Sequence, residues 1–393
     1  MPKKIIYNIK IYYKMTKTYQ EINEKIKSGK AVVLTAEEVS ELSKTLTHKE
    51  IAKKVDVVTT GTFGAMCSSG LFLNFGHADP PIRMEKIKLN GVQVCGGLAA
   101  VDTYIGATDT HPENELYGGA HLIEALVKGE DITLEAWGKG TDCYPRKHIQ
   151  TQINKYTINE AILYNPRNAY QNYCVATNST EEIKHTYMGI LLPQLCNASY
   201  STSGELSPLL NDPECRTIGL GTRIFLCGTQ GYVTWNGTQF HSTKETNEYG
   251  IPTSNARTLA VIGDLKEMSA DFLRAAHYEK YGNSLFVGIG IPIPILDEDM
   301  AQRVSICNRQ IETTIVDYGN HNKILGKTNY EELQSGSIQI NGKKVRTTPV
   351  SGIAKARTIA EILKSWIQTG NFFLTEPVKA MPTGTTLKSL TIK

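Results

Sequence analysis

The sequence predicts a mixed α/β fold in which glycine-rich loops follow the ends of strands. A β-branched run, Val55–Thr60, has the composition of a buried strand and leads directly into the glycine-rich Gly61–Gly70. Beyond Gly250 strand-like and helix-like segments alternate, and Ile353–Ile367 has the apolar spacing of an amphipathic helix. At 393 residues the chain is long enough for two domains, so two intertwined subdomains are a further expectation.

We expect three regions along the chain. Residues 1–16 form a basic N-terminal extension, residues 17–377 one central region, and residues 378–393 a C-terminal tail. No repeat or low-complexity linker divides the central region, so an internal boundary near residue 250 is only weakly marked. An apolar fraction of 40% with 21% charged residues is typical of a globular chain with a sizeable core.

Composition argues against several classes of protein. The 42 basic and 39 acidic residues nearly balance and form no long basic run, which disfavours a nucleic-acid surface. The longest apolar candidate, Val287–Leu296, is interrupted by Pro292, so no membrane helix is expected. Eight cysteines occur without any Cys-x-x-Cys pair, which favours reduced thiols and a cytoplasmic location over a disulfide framework or a zinc ribbon.

Local signals predict several elements in chain order. Thr35 followed by Glu38 is a capping box that opens a helix toward Leu46. Asn90-Gly91 predicts a type I′ hairpin turn within Lys86–Val94.

Later segments are assigned on helical composition and turn residues. Glu181–Met188 has the composition of a helix, and Asp271–Tyr281 is predicted to be a helix capped by Ser269. Acidic residues at the start of Asp297–Ser305 favour a further helix, since they complement the dipole of its first turn.

Cys67 lies in the small-residue segment after the first buried strand. Small side chains let backbone amides approach a ligand, and the ends of strands are where α/β proteins place their chemistry. The residue is therefore a candidate nucleophile. A buried structural cysteine remains an equal alternative, because free cysteine is among the most buried residue types.

Cys143 lies in a second glycine-containing segment, Gly138–His148, which follows the predicted strand Ile132–Trp137. Three basic residues follow this cysteine within five positions, and cationic neighbours stabilise a thiolate relative to a thiol. A surface cysteine beside a solvated basic turn is the alternative interpretation.

Two polar clusters are further candidates. His77, Asp79 and Arg83 lie in a proline-rich loop and could bind an anionic substrate or relay protons, or could merely satisfy their own backbone. Asp109, His111 and Glu113 resemble a metal or acid–base site in composition, although their spacing matches no standard metal motif. A metal-dependent lyase or hydrolase therefore remains an alternative function.

Taken together, Gly61–Gly70, Asn74–Arg83 and Gly138–Arg146 resemble the homocysteine biosynthesis family of methanogens and some anaerobic bacteria. These proteins are L-aspartate semialdehyde sulfurtransferases, and the similarity runs from about Tyr19 to Pro377. Members often carry C-terminal CBS domains or work with a small ferredoxin-like protein, and we expect neither module within this chain.

The resemblance implies transfer of sulfide-derived sulfur into aspartate 4-semialdehyde, giving homocysteine, with a cysteine persulfide as the carrier. It implies that Cys143 bears the persulfide and that Cys67 supports or resolves it. An aldehyde carbon is two electrons more oxidised than a thiol carbon, so a reductant is required. We expect no cofactor in this chain and electrons from a ferredoxin-like iron–sulfur partner.

Substrate-binding residues are expected among the basic side chains. Arg83, Arg146, Arg223 and Arg257 are candidates for binding the substrate carboxylate, and His77 or His148 for protonating the aldehyde oxygen. A non-catalytic sulfur-carrier scaffold is a third interpretation, and a homo-oligomer remains open.

Overall fold

Two large hydrophobic cores organise the described residues, beside a small third cluster of Ala176, Met188 and Leu191. The chain passes between the two large cores more than once. The computed structural model describes residues 17–392, so the predicted extension at residues 1–16 lies outside the described residues. The larger core contains residues from most of the chain, and the smaller core is confined to 175–210, 251 and 306–345. This mixture of helices and curled sheets confirms the α/β prediction.

The helices and strands alternate irregularly along the chain. The helices are α1 (Tyr19–Lys27), α2 (Ala36–Leu42), α3 (His48–Lys54), α4 (Gly119–Lys128), α5 (Pro208–Asn211), α6 (Glu298–Val304), α7 (Tyr330–Gln334) and α8 (Ile353–Gln368). The strands of the first half are β1 (Val33–Thr35), β2 (Val57–Thr59), β3 (Thr62–Ala65), β4 (Gly70–Asn74), β5 (Lys86–Leu89), β6 (Val92–Val94), β7 (Asp102–Gly106), β8 (Thr110–His111), β9 (Asn114–Gly118), β10 (Ile132–Trp137), β11 (His148–Ile153), β12 (Glu160–Asn168), β13 (Val175–Thr177), β14 (Lys184–Thr186), β15 (Gly189–Leu191) and β16 (Asn197–Tyr200). Those of the second half are β17 (Gly219–Leu220), β18 (Arg223–Leu226), β19 (Thr229–Asn236), β20 (Leu259–Asp264), β21 (Leu273–Tyr278), β22 (Gly282–Gly290), β23 (Pro292–Pro294), β24 (Glu312–Asp317), β25 (Lys323–Asn329), β26 (Ser337–Ile340), β27 (Lys343–Pro349) and β28 (Lys379–Ala380).

A nine-stranded, antiparallel sheet forms the main body. Its order is β21-β22-β18-β19-β20-β12-β4-β7, and β3 adds to it by pairing with β22. The sheet curls, so α4 contacts strands at both of its ends, β21 and β22 at one and β4 and β7 at the other. Helix α8 covers β3 and β22 beside the small sheet β1-β2-β23.

A six-stranded sheet, β25-β24-β13-β16-β27-β26, forms the second unit. The chain enters this sheet at β13, leaves after β16, and returns for β24 to β27. A cavity lined by residues of both units lies between them.

Several local predictions are confirmed. Thr35 Oγ1 accepts from the amide of Glu38, and the Glu38 carboxylate accepts from the amide of Thr35, which completes the capping box of α2. Asn90 and Gly91 have φ values of 44° and 83°, as a type I′ turn between β5 and β6 requires. Helix α8 forms where its apolar spacing predicts it.

Two predicted helices are wrong. Residues 184–191 form the β14–β15 hairpin instead of a helix. The segment predicted as a helix at 271–281 forms β21, which pairs along its whole length with β22. At the outer edge of β21, the amide of Ala275 donates to the Glu124 carboxylate of α4 at 2.8 Å. Packing and strand pairing therefore override the helical composition of this segment.

The C-terminal segment is tied to the main body at two places. Strand β28 pairs with β17, and the ammonium group of Lys379 lies over the ring of Trp235. Farther along, Thr385 and Ser242 are joined by hydrogen bonds at 2.9 and 3.0 Å. Across residues 17–392, no helix combines the length and the apolarity needed to cross a membrane.

Candidate active site

A cavity of about 1260 Å³ lies between the two units and is lined by both. The main body contributes the Cys67 turn and the end of β12, and the second unit contributes residues beside β13 and β24. Its volume exceeds that of many small-molecule sites, so it has room for a short substrate and a second group. The lining residues that matter below are Cys67, Arg167, Tyr170, Cys174, Tyr187 and Tyr281.

Cys67 lies in the turn between β3 and β4 and is half-buried. The first half of the predicted glycine-rich loop is therefore a strand, and only its second half is a turn. The amide of Met66 donates to the carbonyl of Leu285 at 2.8 Å, and the amide of Ser69 donates to Met66 at 3.0 Å. These bonds hold the turn against β22.

The register between β3 and β22 decides what the Cys67 thiol meets. Ala65 pairs with Phe286, and continuing this antiparallel register by two residues places Cys67 opposite Ser284. Cys67 Sγ lies 3.3 Å from Ser284 Oγ and 3.5 Å from Tyr281 Oη. The thiol therefore contacts two hydroxyls, and it lines the cavity together with Tyr281.

Arg167 reaches the cavity because β12 bulges. The pairing of β12 with β20 shifts register between Asn165 and Asn168, and Pro166 lies inside the shift. Proline cannot donate to a neighbouring strand and is tolerated at such bulges, which redirect side chains. Arg167 Nε donates to Thr238 Oγ1 at 2.9 Å, and its guanidinium also hydrogen-bonds to Tyr170.

Tyrosine hydroxyls form a connected group on the opposite wall. The hydroxyl of Tyr187 lies 2.9 Å from that of Tyr173 and 2.8 Å from that of Tyr318, and Cys174 Sγ lies 3.3 Å from Tyr318 Oη. Burial raises the pKa of Cys174, Tyr173 and Tyr318, so all three are in their protonated forms near neutral pH. Lys244, Lys327 and Glu245 also line the cavity. With Arg167 the cations outnumber the one carboxylate, so the cavity favours an anion.

Cys143 is exposed in the long turn that joins β10 to β11. The turn is closed by reciprocal backbone hydrogen bonds between Thr141 and Tyr144, at 2.9 and 3.1 Å. Gly138 is required at its base, because a Cβ there would collide with the carbonyl oxygen of Arg83.

The Cys143 turn packs against the proline-rich loop that follows β4. Arg146 Nη2 donates to the carbonyl of Asp79 at 2.7 Å, and Nε donates to that of Pro80 at 2.9 Å. The rings of His77 and Tyr144 stack with centroids 6.0 Å apart. The structure thus brings Cys143 together with four predicted residues, namely His77, Asp79, Arg83 and Arg146.

The two predicted cysteines lie at opposite ends of β4. Cys67 precedes this strand, whereas the loop of His77 that contacts the Cys143 turn follows it. A five-residue strand at about 3.3 Å per residue separates the two regions by roughly 15 Å. Cys143 does not line the cavity that Cys67 lines. For the two thiols to act on one electrophile, the turn must move or a second chain must supply one of them.

The remaining predicted residues lie away from the cavity lining. Arg223 donates from its amide to Thr375 and lies over the ring of Phe372. Arg257 donates to the carbonyls of Pro213 and Ser242 and to the side chain of Gln171, so it holds loops together. His148 lies on β11 with Nε2 3.4 Å from the Glu135 carboxylate.

The acidic cluster does not form a metal site. Asp109 accepts from the amide of Gly106 at 2.9 Å, and His111 Nδ1 accepts from the amide of Glu113 at 3.1 Å. These contacts are those of turns that satisfy their own backbone. Across residues 17–392, no three His, Cys, Asp or Glu side chains are arranged to hold a metal ion.

Sequence reasoning missed Arg167, Tyr281 and Ser284 as site residues. Arg167 carried a signal, because Pro166 interrupts an otherwise strand-like run and so indicates a bulge. Tyr281 and Ser284 carried none, since their approach to Cys67 depends on pairing between segments more than 200 residues apart.

A family model described as "Homocysteine biosynthesis enzyme, sulfur-incorporation" matches residues 31–374. This chain belongs to that family. The resemblance predicted from three motifs is therefore confirmed over most of the chain.

Curated relatives of this family member come from methanogenic archaea. An L-aspartate semialdehyde sulfurtransferase of Methanosarcina acetivorans is 49% identical, over 95% of this chain and 74% of the relative. One of Methanocaldococcus jannaschii is 51% identical, over 93% of this chain and 73% of the relative. An uncharacterized protein of Methanothermobacter thermautotrophicus is 25% identical over 83% of this chain. No solved structure matches this chain.

Proposed function

We propose that this chain is an L-aspartate semialdehyde sulfurtransferase that forms L-homocysteine through a cysteine persulfide. The observation that carries the proposal is a half-buried thiol, Cys67, opening onto a cavity with cationic walls in a chain about half identical to sulfurtransferases of that name. An aldehyde with a carboxylate matches such a cavity, because the sulfur of the cysteine attacks the carbonyl carbon and a cationic side chain binds the carboxylate.

Arg167 is the proposed partner of the substrate carboxylate. Its guanidinium and the Cys67 thiol flank the same residue, Tyr170, whose hydroxyl Arg167 contacts. A four-carbon aldehyde spans a few ångströms between its carboxylate and its carbonyl carbon. One substrate molecule can therefore contact both Arg167 and Cys67, which both lie near Tyr170. Arginine binds carboxylates through two parallel hydrogen bonds and so fixes their orientation.

The two cysteines have different proposed tasks. Exposed Cys143, beside Arg146 and His77, takes a sulfane sulfur from an external persulfide or polysulfide, whose remaining thiolate leaves. Cys67 then presents sulfur to the acceptor in the cavity. Exchange from a Cys143 persulfide to a Cys67 thiolate breaks one S–S bond and forms another, without net oxidation or reduction. The exchange requires the turn that carries Cys143 to move, or Cys143 to come from a second copy of the chain.

The overall reaction requires external electrons. Sulfide adds to the aldehyde to give a thiohemiacetal, loss of water gives a thioaldehyde, and two electrons with two protons give the thiol. When sulfur arrives as a persulfide, two more electrons and two more protons release it. A ferredoxin-like iron–sulfur protein is the proposed electron donor, and no cofactor is assigned to this chain.

Peptide mass spectrometry with single-turnover assays tests the proposal. The purified, reduced chain is treated with polysulfide, which transfers one sulfane sulfur to a thiolate while the shortened polysulfide leaves. We expect one added sulfur on the peptides of Cys67 and Cys143. Serine variants at either position should lose homocysteine formation from aspartate semialdehyde supplied with a chemical reductant. Serine variants at exposed Cys95 and Cys196 are matched controls that should retain it.

Two outcomes contradict the proposal. Turnover retained in both Cys67→Ser and Cys143→Ser would remove the persulfide route. Sulfur loading without any homocysteine, in the presence of the reductant, would instead indicate a sulfur-carrier protein.

A further inference from the structure

The sulfur of Cys67 faces two hydroxyls that its own turn does not supply. Ser284 is fully buried in β22, and its hydroxyl is within hydrogen-bond distance of Cys67 Sγ. Tyr281 closes the turn between β21 and β22, and its hydroxyl approaches the same sulfur at 3.5 Å. Both contacts lie within the range of hydrogen bonds to sulfur.

Tyr281 is suited to donate rather than accept. Burial raises the pKa of its phenol, and the hydrogen bond to Cys67 raises it further, so the neutral hydroxyl persists near neutral pH. The Ser284 hydroxyl is also able to donate, since a serine hydroxyl carries one proton that rotates to suit its partner. Two hydroxyls are therefore able to donate to one sulfur.

We infer that Tyr281 and Ser284 form a hydroxyl cradle that binds the anionic sulfur of Cys67, before sulfur loading and again when sulfur leaves. Binding of the sulfur before loading is argued from the geometry alone. Binding of the sulfur after transfer rests on the proposed function. The ligand class is a thiolate or the inner sulfur of a persulfide. Cys67 and Tyr281 both line the cavity, so the cavity has room for the outer sulfur of a persulfide beside the cradle.

The transfer step shows where the cradle acts. The outer sulfur of the Cys67 persulfide forms a bond to the aldehyde carbon, and the carbonyl electron pair moves to oxygen, which takes a proton. Two electrons from an external thiol or iron–sulfur reductant then break the S–S bond. One product is a thiolate on the thiohemiacetal and the other is the Cys67 thiolate, which the two hydroxyls receive.

Other titratable and charged groups also surround the Cys67 sulfur. Tyr278 on β21 and Tyr170 after β12 are close enough to interact with it electrostatically. The remaining charged or titratable side chains around the cavity wall are Arg167, Tyr173, Cys174, Tyr187, Lys244, Glu245, Tyr318 and Lys327. A test must therefore separate loss of the cradle from a general change in the cavity.

The experiment measures how fast iodoacetamide alkylates Cys67 at one neutral pH, with its peptide quantified by mass spectrometry. The thiolate is the reactive form, so the rate reports how well the anionic sulfur is held. For Tyr281→Phe and for Ser284→Ala we expect the rate to fall roughly tenfold each, as loss of one hydrogen bond to a charged atom predicts. The double variant should shift the rate further than either single one.

Tyr187→Phe is the matched control. Its ring packs 5.8 Å from that of Tyr281, but its hydroxyl bonds to Tyr173 and Tyr318 and not to the sulfur. We expect no shift in this variant, and circular dichroism with a thermal melt confirms that each variant is folded. Equal shifts in Tyr187→Phe and Tyr281→Phe, or no shift in Tyr281→Phe, overturn the cradle.

Sulfur loading of Cys67 separates this inference from the proposed function. If the variants show the rate shifts but the wild-type chain never carries added sulfur on Cys67, the cradle stands as a thiolate site and the persulfide route fails. If sulfur is carried but the shifts are missing, the route stands and the cradle fails.

Discussion

Asn165 Nδ2 donates a 2.7 Å hydrogen bond to Ser69 Oγ, and both residues are buried. Asn165 Oδ1 also accepts from the amide of Arg167 at 2.9 Å. One side chain therefore joins the turn that carries Cys67 to the bulge that carries Arg167. The distance between the proposed nucleophile and the proposed carboxylate site depends on this amide.

Replacing Asn165 should weaken both the fold and the site. We expect Asn165→Ala to lower the free energy of unfolding by about 1–3 kcal/mol, because it leaves buried polar partners unsatisfied. A double-mutant cycle with Ser69→Ala, measured by urea unfolding, should give a coupling of about 1 kcal/mol. Strictly additive effects of the two substitutions would contradict a direct link between turn and bulge.

Arg167→Lys should raise the KM for aspartate semialdehyde by roughly 10- to 100-fold with a smaller change in kcat. Lysine retains the charge but loses the paired donors that orient a carboxylate, and one hydrogen bond to a charged group contributes about 1.5–3 kcal/mol. Steady-state kinetics measure the change. Arg223→Lys is the control, since Arg223 does not line the cavity. A larger increase in KM for Arg223→Lys than for Arg167→Lys would indicate that the carboxylate site lies outside the cavity.

Arg146→Lys should loosen the turn that carries Cys143. The guanidinium joins two carbonyls of the neighbouring loop, at Asp79 and Pro80, and a lysine amine cannot span both in the same geometry. We expect amide hydrogen exchange across residues 138–147 to become roughly tenfold faster. Lys139→Arg alters only an exposed pair with Glu85 and should leave exchange unchanged.

Asp56 should make the stability of the chain depend on pH in the acid range. Burial raises the pKa of this carboxyl, but hydrogen bonds from Lys25, the amide of Val32 and Lys17 together outweigh burial and hold the pKa below its usual value. Because the pKa is lower in the folded state, the stabilisation is present above about pH 4 and is lost as the pH falls through the folded-state pKa.

Asp56→Asn should therefore cost about 3 kcal/mol at neutral pH, since it removes one side of a buried ion-pair cluster. Urea unfolding at several pH values should show that the gap in unfolding free energy between the variant and the wild-type chain becomes smaller in acid. Glu41→Gln, which breaks an exposed pair with Lys44, serves as the control and should show little effect at any pH. A gap that is independent of pH would show that the carboxylate charge does not stabilise the fold.

Local signals predicted those elements whose conformation is determined within a few residues. The capping box at Thr35, the turn at Asn90-Gly91 and the acidic start of α6 after Asp297 each rest on contacts within three positions along the chain. The same local rules failed at β21, where a helical composition yields to pairing with β22 and to the carboxylate of Glu124. Long-range hydrogen bonds there outweigh propensities of less than 1 kcal/mol per residue.

The sequence by itself determined the family, the mixed α/β class and the two loops that carry Cys67 and Cys143, because glycine-rich turns after β-branched runs are local features. Only the tertiary structure decided what surrounds each thiol. The register of β3 on β22 places Ser284 and Tyr281 at the sulfur of Cys67, and the bulge of β12 turns Arg167 toward the same cavity. Strand β4 keeps Cys143 at its opposite end, since strand pairing fixes positions that no spacing along the chain encodes.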